Sequence, residues 1–398
     1  MITAKIAALL QRKFFNGARI QNQYSPEWVR KNNYTANRKL IRKLRAEWTA
    51  YAHDIPPYPG TFSGRGIVVC AGGYTYITCA WVNISMLRKS GCSLPVELWH
   101  AGGEINASMI RKFEELNVVC RDCNSLTEAP VKGFAIKPFA ILHSAFKEVL
   151  FLDADNNCVS DPAYLFDSEV YKKTGTIFWP DLWRTHPENP VWQVVAATAY
   201  STPEQESGQL LVNKEQCWRE LNLCMYFNNN RQVYYKMLHG DKDTFKFAWM
   251  ALNTTYYMVP APPAFGGFVH TDGIFYGLTM IQHDMDNKVL FLHRNLMKWA
   301  QTQDGEMLWT HVKKRRNEAA RAKFVPREIE FRSGSLDFVD MEGDVELLPF
   351  EGVLGEYELE CMDILKTLRL GKAYQEFVLD QCLVLTRAGY ADNRARLR

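Results

Sequence analysis

No apolar run in the 398 residues approaches the roughly 18 that cross a bilayer, so no membrane-spanning segment is expected. The first residues, Lys5 to Phe15, make at most a short amphipathic helix with basic flanks. They lack the long apolar core and small-residue cleavage site of a signal peptide. As it stands the chain is expected to be soluble and cytoplasmic. Charge of one sign is also scarce. The net +3 argues against a dedicated nucleic-acid binder, and the run Lys313-Lys314-Arg315-Arg316 reads as a solvated face. No Gly-x-Gly-x-x-Gly is present, which excludes a dinucleotide fingerprint, and there is no internal repeat or low-complexity tract. The ten cysteines are scattered, and Cys70 and Cys79 lie in apolar segments, so buried free thiols are expected rather than disulfides. Cys120 and Cys123 form one Cys-x-x-Cys, with no second pair or His-x-x-x-His to complete a zinc site. Sequons at Asn33, Asn83, Asn106 and Asn253 would carry glycans only in a secretory lumen.

What is present is enough apolar sequence for a large core: 47 % of the residues are hydrophobic. Residues 1–60 read as a basic, helix-prone extension ending in the breakers Pro56-Pro57-Tyr58-Pro59-Gly60. Strands are expected at Gly66–Cys70, Leu94–Trp99 and Val118–Cys120, with helices between them marked by Ile77, Ala80, Trp81, Ile84 and Leu87 and by Met109, Phe113 and Leu116. Phe139, Leu142 and Phe146 mark a further helix that feeds a strand ending at Asp153. Strand alternating with helix predicts an α/β fold with a doubly wound, mostly parallel sheet. The domain proper is expected over 61–300. Residues 301–398, with an acidic stretch and a basic tail of Arg394, Arg396 and Arg398, read as an appended C-terminal region.

The chemistry is concentrated where the apolar run Val149-Leu150-Phe151-Leu152 ends in Asp153-Ala154-Asp155. In extended backbone alternate side chains share a face, so two carboxylates converge at a strand end. Ligands in open α/β sheets bind beyond the carboxyl ends of such strands. Paired carboxylates suit Mg²⁺ or Mn²⁺ with open positions for phosphate oxygens. Asp-x-Asp also occurs at Asp241 and Asp243 and at Asp284 and Asp286, neither after a buried-strand pattern. Gly72 and Gly73 follow the first strand and would let a nucleotide approach the backbone, or simply make a tight turn.

Five further segments follow in order around this pair: Gly133-Phe134-Ala135-Ile136-Lys137-Pro138, Phe178-Trp179-Pro180-Asp181-Leu182-Trp183, Glu206-Ser207-Gly208-Gln209-Leu210-Leu211-Val212, Gly240-Asp241-Lys242-Asp243-Thr244-Phe245 and Phe291-Leu292-His293-Arg294-Asn295. Together they closely resemble the fungal Golgi mannosyltransferases that add α-1,2- and α-1,3-linked mannose to cell-wall mannans, from about Gly64 to Trp299. The resemblance implies a GT-A type nucleotide-diphospho-sugar transferase fold. It implies transfer of mannose from GDP-mannose to a glycan acceptor hydroxyl with retention of the α configuration. It also implies an Mn²⁺ or Mg²⁺ cofactor held by Asp153, Asp155 and His293. The family's usual N-terminal anchor and stem are not visible, and a Golgi-lumen location would follow if an anchor had been removed or replaced.

The remaining roles follow from the matched segments. Gly72, Gly73, Tyr74, Lys137 and Lys298 are the candidate donor-binding residues, with Lys137 placed to neutralise a departing diphosphate. Trp179, Asp181 and Gln209 are candidates for the sugar and acceptor pocket, and Trp183 and Trp192 are further rings for stacking on sugar faces or for the core. Glu206, Asp241 and Asp243 are the candidate catalytic carboxylates, on the sugar side and away from the metal. Asp241 would alternatively cap the following helix. The competing functions are a sugar-nucleotide nucleotidyltransferase, which would want a cation in the loop Ala71-Gly72-Gly73-Tyr74-Thr75, a transferase of galactose or glucose from a UDP donor, and a silent carbohydrate-binding protein.

Overall fold

A computed structural model describes residues 22–383 apart from 129, 132, 200, 201, 318, 332 and 333. The helix expected near Lys5–Phe15 and the basic tail at Arg394–Arg398 lie outside the described residues. In chain order the strands are β1 (Asn22–Tyr24), β2 (Val29–Asn32), β3 (Arg65–Cys70), β4 (Val96–His100), β5 (Val118–Asp122), β6 (Glu148–Asp153), β7 (Asn156–Cys158), β8 (Thr176–Pro180) and β9 (Arg184–Thr185). They continue with β10 (Gln205–Asn213), β11 (Tyr257–Met258), β12 (Ala264–Val269), β13 (Phe275–His283), β14 (Val289–His293), β15 (His311–Arg315), β16 (Ala322–Phe331), β17 (Gly334–Gly343) and β18 (Val345–Pro349).

Seven strands form the central sheet in the order β11-β8-β10-β6-β3-β4-β5. The β6-β3-β4-β5 half is parallel throughout, while β10 runs antiparallel to both β6 and β8. Alternation along each strand explains why both faces are covered. Leu150 and Leu152 of β6 and Ile67 and Val69 of β3 point into one core, with helices Gly73–Lys89, Ala107–Glu114 and Tyr357–Leu370. Val149 and Phe151 of β6 and Val68 of β3 point into the other, with helices Arg38–His53, Ile136–His143, Trp218–Asn229 and Thr244–Ala251. This is the expected doubly wound, mostly parallel α/β sheet. All ten cysteines are free thiols, and Cys70, Cys120 and Cys382 alone are partly exposed.

Both flanking segments take part in this architecture. Helix Arg38–His53 buries Ile41, Leu44, Trp48 and Ala52 in the second core, so the residues expected as an extension supply packing for the sheet. Beyond residue 300, β15 pairs with β12 and β17 with β13 in an eight-stranded sheet ordered β16-β17-β13-β12-β15-β18. A boundary at residue 300 would cut that sheet, because its strands come from both sides.

The same C-terminal region steadies the turn after β14. Arg294 is fully buried. Its Nη1 donates to Glu358 Oε1 at 3.0 Å, its Nη2 to Thr302 Oγ1 at 3.0 Å and its Nε to the Met297 carbonyl at 2.9 Å. Glu358 also accepts from the backbone N–H groups of Leu308 and Trp309. Removing one member of a buried ion pair strands the other charge, at a cost of roughly 3–5 kcal/mol. Glu358→Ala is therefore expected to lower unfolding free energy by about that amount in a urea titration. A loss below about 1 kcal/mol, the size of an exposed pair, would show that Arg294 finds other partners.

Candidate active site

The site grows from the end of β6. Asp153 closes the strand, and its carbonyl accepts from Asn83 Nδ2 at 3.1 Å on the helix below. The chain turns through Ala154 and Asp155 into β7, which pairs antiparallel with β14 in a register that sets His293 opposite Asn156. That pairing carries a histidine from about 140 residues downstream to the Asp-x-Asp turn, as expected for adjacent strands about 4.8 Å apart. The backbone N–H of Arg294 donates to the Asp155 carbonyl at 2.9 Å and fixes the approach. One ligand atom each from Asp153, Asp155 and His293 lies within 4.8 Å of the other two.

Three cations surround these carboxylates. Lys137 Nζ donates to Asp153 Oδ2 at 2.8 Å and lies 3.4 Å from Asp241 Oδ2. Lys298 Nζ contacts Asp155 Oδ2. His293 Nε2 lies 3.4 Å from Asp155 Oδ1 and 3.8 Å from Asp153 Oδ2, while Nδ1 is 3.3 Å from Glu206 Oε1. Burial works against the charge on Asp155, yet Lys298 and His293 hold its carboxyl well below the usual range. Burial prevails at Asp153 and Asp241, whose carboxyls are raised despite Lys137. Burial also opposes the imidazolium of His293, but Asp155 and Glu206 push it up to about 10. At Glu206 burial is overcome by His293, Lys242 and the Gly208 N–H, and its carboxyl falls to about 2.

Of the other candidates, Glu206, Asp241, Lys137 and Lys298 join this cluster. Asp241 is linked to Asp153 through Lys137, beside the metal-type group rather than away from it. Its carbonyl, not its carboxylate, accepts from Thr244 at the start of helix Thr244–Ala251. Asp243 departs from expectation. It is fully buried, accepts from the Gln205 N–H at 2.9 Å and pairs with Lys246 at 3.1 Å. In this conformation it reaches no substrate and serves the packing of helix Thr244–Ala251 against β10. Trp179 is likewise fully buried, its Nε1 donating to the His283 carbonyl and its ring edge-on to Phe291, so it offers no face to a sugar. Trp192 is buried against Phe247. Gln209 is inaccessible and accepts from Asn156 Nδ2 beneath the cluster, a support for the β6–β7 turn.

Asp181 lies near Glu206 but is engaged by Lys242, which also donates to Glu204 at 2.6 Å. Burial pushes its carboxyl up to about 6 against the pull of Lys242. Gly73 has φ +70° at the head of helix Gly73–Lys89, and the Tyr74 hydroxyl donates to the Ala300 carbonyl at 3.3 Å. Space above Gly72 is filled by the Glu104 carboxylate. Sequence reasoning passed over Glu104 and Tyr76, and took Ser207 only as part of a matched segment. Ser207 Oγ is 3.3 Å from Lys137 Nζ, and the Tyr76 ring is half-exposed with Lys298 Nζ 5.7 Å from its centroid. Tyr76 does fall on the helix face of Gly73, one turn from the glycines, which is the signal that could have found it.

Two carboxylate oxygens and an imidazole nitrogen suit Mn²⁺ or Mg²⁺, with room left for phosphate oxygens and water. His293 could ligate only when neutral, so a metal ion bound here would displace its proton. Glu206 stands where a carboxylate orients a metal-bound histidine through its second nitrogen.

The chain is similar in sequence to known proteins. A family model described as "Mannosyltransferase putative" matches residues 64–200 and 195–284. Alpha-1,2-mannosyltransferase MNN5 of Saccharomyces cerevisiae is 27 % identical over 298 residues, covering 58 % of this chain and 51 % of that protein. Alpha-1,2-mannosyltransferase MNN23 of Candida albicans is 26 % identical over 308 residues, covering 62 % and 50 %. The chain thus spans about half the length of the curated relatives it matches. The glycosyltransferase GlyE of Streptococcus pneumoniae is 17 % identical with a TM-score of 0.35, covering 49 % of this chain and 45 % of that one, a likeness too slight to carry an argument.

One residue is sterically bound to the cluster. A Cβ on Gly208 would lie 2.5 Å from His293 Nδ1 and 3.2 Å from Glu206 Oε1. Gly208→Ala is expected to displace the imidazole while leaving both aspartates in place. Mn²⁺ affinity, followed by electron paramagnetic resonance, should fall by about 10- to 100-fold. Unchanged Mn²⁺ binding would mean that His293 is not a ligand.

Proposed function

The chain belongs to the mannosyltransferase family whose model it matches over residues 64–284, and on that premise we propose that it is a metal-dependent glycosyltransferase. The reaction proposed is transfer of mannose from GDP-mannose to a glycan hydroxyl with retention at the anomeric carbon. The observation that carries the reading is the group Asp153, Asp155 and His293, flanked by Lys137 and Lys298 at the carboxyl end of β6. A bound Mn²⁺ or Mg²⁺ would supply positive charge to the donor diphosphate as the glycosidic bond breaks.

Each residue then has a defined task. Asp153, Asp155 and His293 hold the ion, and Glu206 positions the imidazole. Lys137 and Lys298, held beside the aspartates, present ammonium groups to the oxygens on which negative charge develops. Asp241 and Ser207, both within reach of Lys137 Nζ at 3.3–3.4 Å, fix the direction in which that ammonium points. Glu104 above Gly72 suits ribose hydroxyls better than phosphate. A carboxylate there disfavours the nucleotidyltransferase reading, which needs a cation for a triphosphate. Among the described residues no helix is long and apolar enough to cross a membrane. Work on mannan-type glycans would place the protein in the Golgi lumen, while the cytoplasm remains the alternative.

Asp153→Ala and Asp155→Ala are expected to reduce transfer by about 100-fold or more while circular dichroism stays that of the folded protein. Calorimetry should find GDP binding to the unaltered protein with Mn²⁺ and little with a chelator. Wild-type turnover in either variant at saturating Mn²⁺ would sink the metal assignment. UDP binding more tightly than GDP would sink mannose as the sugar and leave the transferase standing.

A further inference from the structure

We propose that the N-terminal strands β1 and β2, together with the turn after β8, form an acceptor subsite that binds an oligosaccharide, with the ring of Tyr24, backed by Trp183, stacking on a pyranose face. The inference rests on the transferase reading and adds to it the place and chemistry of the second substrate. Strand β8 lies parallel to β6, with antiparallel β10 between them. Its end at Pro180-Asp181 therefore shares a sheet edge with Asp153 and Asp155. The chain then passes through Leu182 and Trp183 into β9, which pairs with β2 in the register Val29↔Arg184 and Arg30↔Thr185. β1 pairs in turn with β2. Residues from the far N-terminal side are thereby fastened to the edge that bears the metal-type cluster.

The fastening is ionic and buried. Arg30 donates through Nη2 and Nε to Glu204 at 2.7 and 3.0 Å, with both side chains almost fully buried. Asn22 Nδ2 lies 3.4 Å from His239 Nδ1. His239 stands two residues before Asp241, whose carboxylate meets Lys137. The loop from His239 to Asp241 thus joins the hairpin to the donor end of the site.

On this frame sit two aromatic rings, one exposed and one packed behind it. Tyr24 is 41 % exposed, and its ring centroid is 4.4 Å from that of Trp183 at 49°. Trp183 is held from behind by Trp28 at 5.4 Å and Phe324 at 4.7 Å. Beside Tyr24 a hollow of about 480 Å³ is lined by Gln23, Lys31 and His186 among others, within the roughly 300–1,000 Å³ of ordinary ligand sites. A pyranose has an apolar C–H face and a rim of hydroxyls. Aromatic faces suit the first, and the amide, ammonium and imidazole suit the second. Tyr24 ends β1 and His186 follows β9, the strand into which β8 leads, and this attachment to the sheet edge that bears Asp153 and Asp155 points to the acceptor rather than to an unrelated ligand.

The test uses the full chain with α-mannotriose as acceptor at saturating donor and Mn²⁺. Tyr24→Ala and Trp183→Ala are expected to raise KM for α-mannotriose by about 5- to 10-fold, with donor KM and donor hydrolysis unchanged. Tyr24→Phe should retain near-normal KM because the ring is kept. Binding of α-mannotriose should quench tryptophan fluorescence in the unaltered protein and much less in Trp183→Ala. Should Trp183→Ala fail to fold for want of its contacts with Trp28 and Phe324, Tyr24→Ala decides alone. Unchanged acceptor KM in Tyr24→Ala overturns the proposal, as does a wild-type protein that consumes donor yet neither binds nor uses α-mannotriose. A protein that binds no nucleotide with Mn²⁺ fails the transferase reading instead.

Discussion

Burying two carboxylates side by side at the end of a sheet is costly unless positive charge meets them, and the organisation of this molecule follows from that requirement. Asp153 and Asp155 lie at the junction of β6 and β7, where water has limited access, and their like charges repel. Lys137 comes from the helix before β6, His293 from β14 and Lys298 from the turn beyond it. Three separated stretches of chain must converge to bring that positive charge to the pair. The convergence leaves the carboxylates preorganised, with their counter-charges in place for the anionic diphosphate and cation of the proposed reaction. It also explains why the surrounding backbone is so closely held. Asn83 grips the carbonyl of Asp153, Arg294 that of Asp155, and Gly208 has no side chain because the imidazole occupies its space.

Much of the frame was legible in the sequence because its signals are local. An unbroken apolar run such as Val149–Leu152 reads as a strand covered on both faces, and alternation with helical spacing then gives a parallel sheet. The Asp-x-Asp at its end was legible for the same reason. His293 was placed with it by resemblance, and the structure supplies the physical cause, a β7–β14 pairing between segments more than 130 residues apart. Long-range register of that kind leaves no local trace. Asp243 and Trp179 mark the limit from the other side. Each sits in a matched segment beside residues that do line the site, but strand alternation and the buried partners Lys246 and His283 turn them inward. Residue type and spacing alone did not separate a carboxylate that faces substrate from one that neutralises a buried lysine.

The ends of the chain teach a related point. Polar, basic composition before residue 60 and weak periodicity after residue 300 suggested appendages, yet both regions supply structure around the site. Helix Arg38–His53 shows only four buried positions in 16 residues, enough to close one face of the sheet but too sparse to stand out in a basic stretch. β15 to β18 are half-exposed strands whose alternation is diluted by charge. They are stable because β12 and β13 give them a template. Arg294 shows the consequence for function: the residue after His293 is clamped by Glu358, so the position of the imidazole depends on a helix that begins at Tyr357.

A second buried charge network lies beside the first and differs from it in kind. Glu204 accepts from Arg30, Thr185 and Lys242, and is held well below the usual carboxylate range by Lys242 and Arg30 despite burial. Such networks are often no more stable than apolar packing of equal volume, although removing one member is costly. Their physical effect here is geometric. One carboxylate ties together β2, β9 and the loop carrying Asp241. Lys242 reaches from this network toward Asp181, and its charge is among the influences that lower the Glu206 carboxyl. The donor end is thus organised by carboxylates awaiting a cation, and the neighbouring end by a carboxylate whose cations are permanent. Only the first arrangement could exchange its counter-charges for a metal ion and a diphosphate, as the proposed transfer requires, and the second network would then hold the surface proposed for the acceptor.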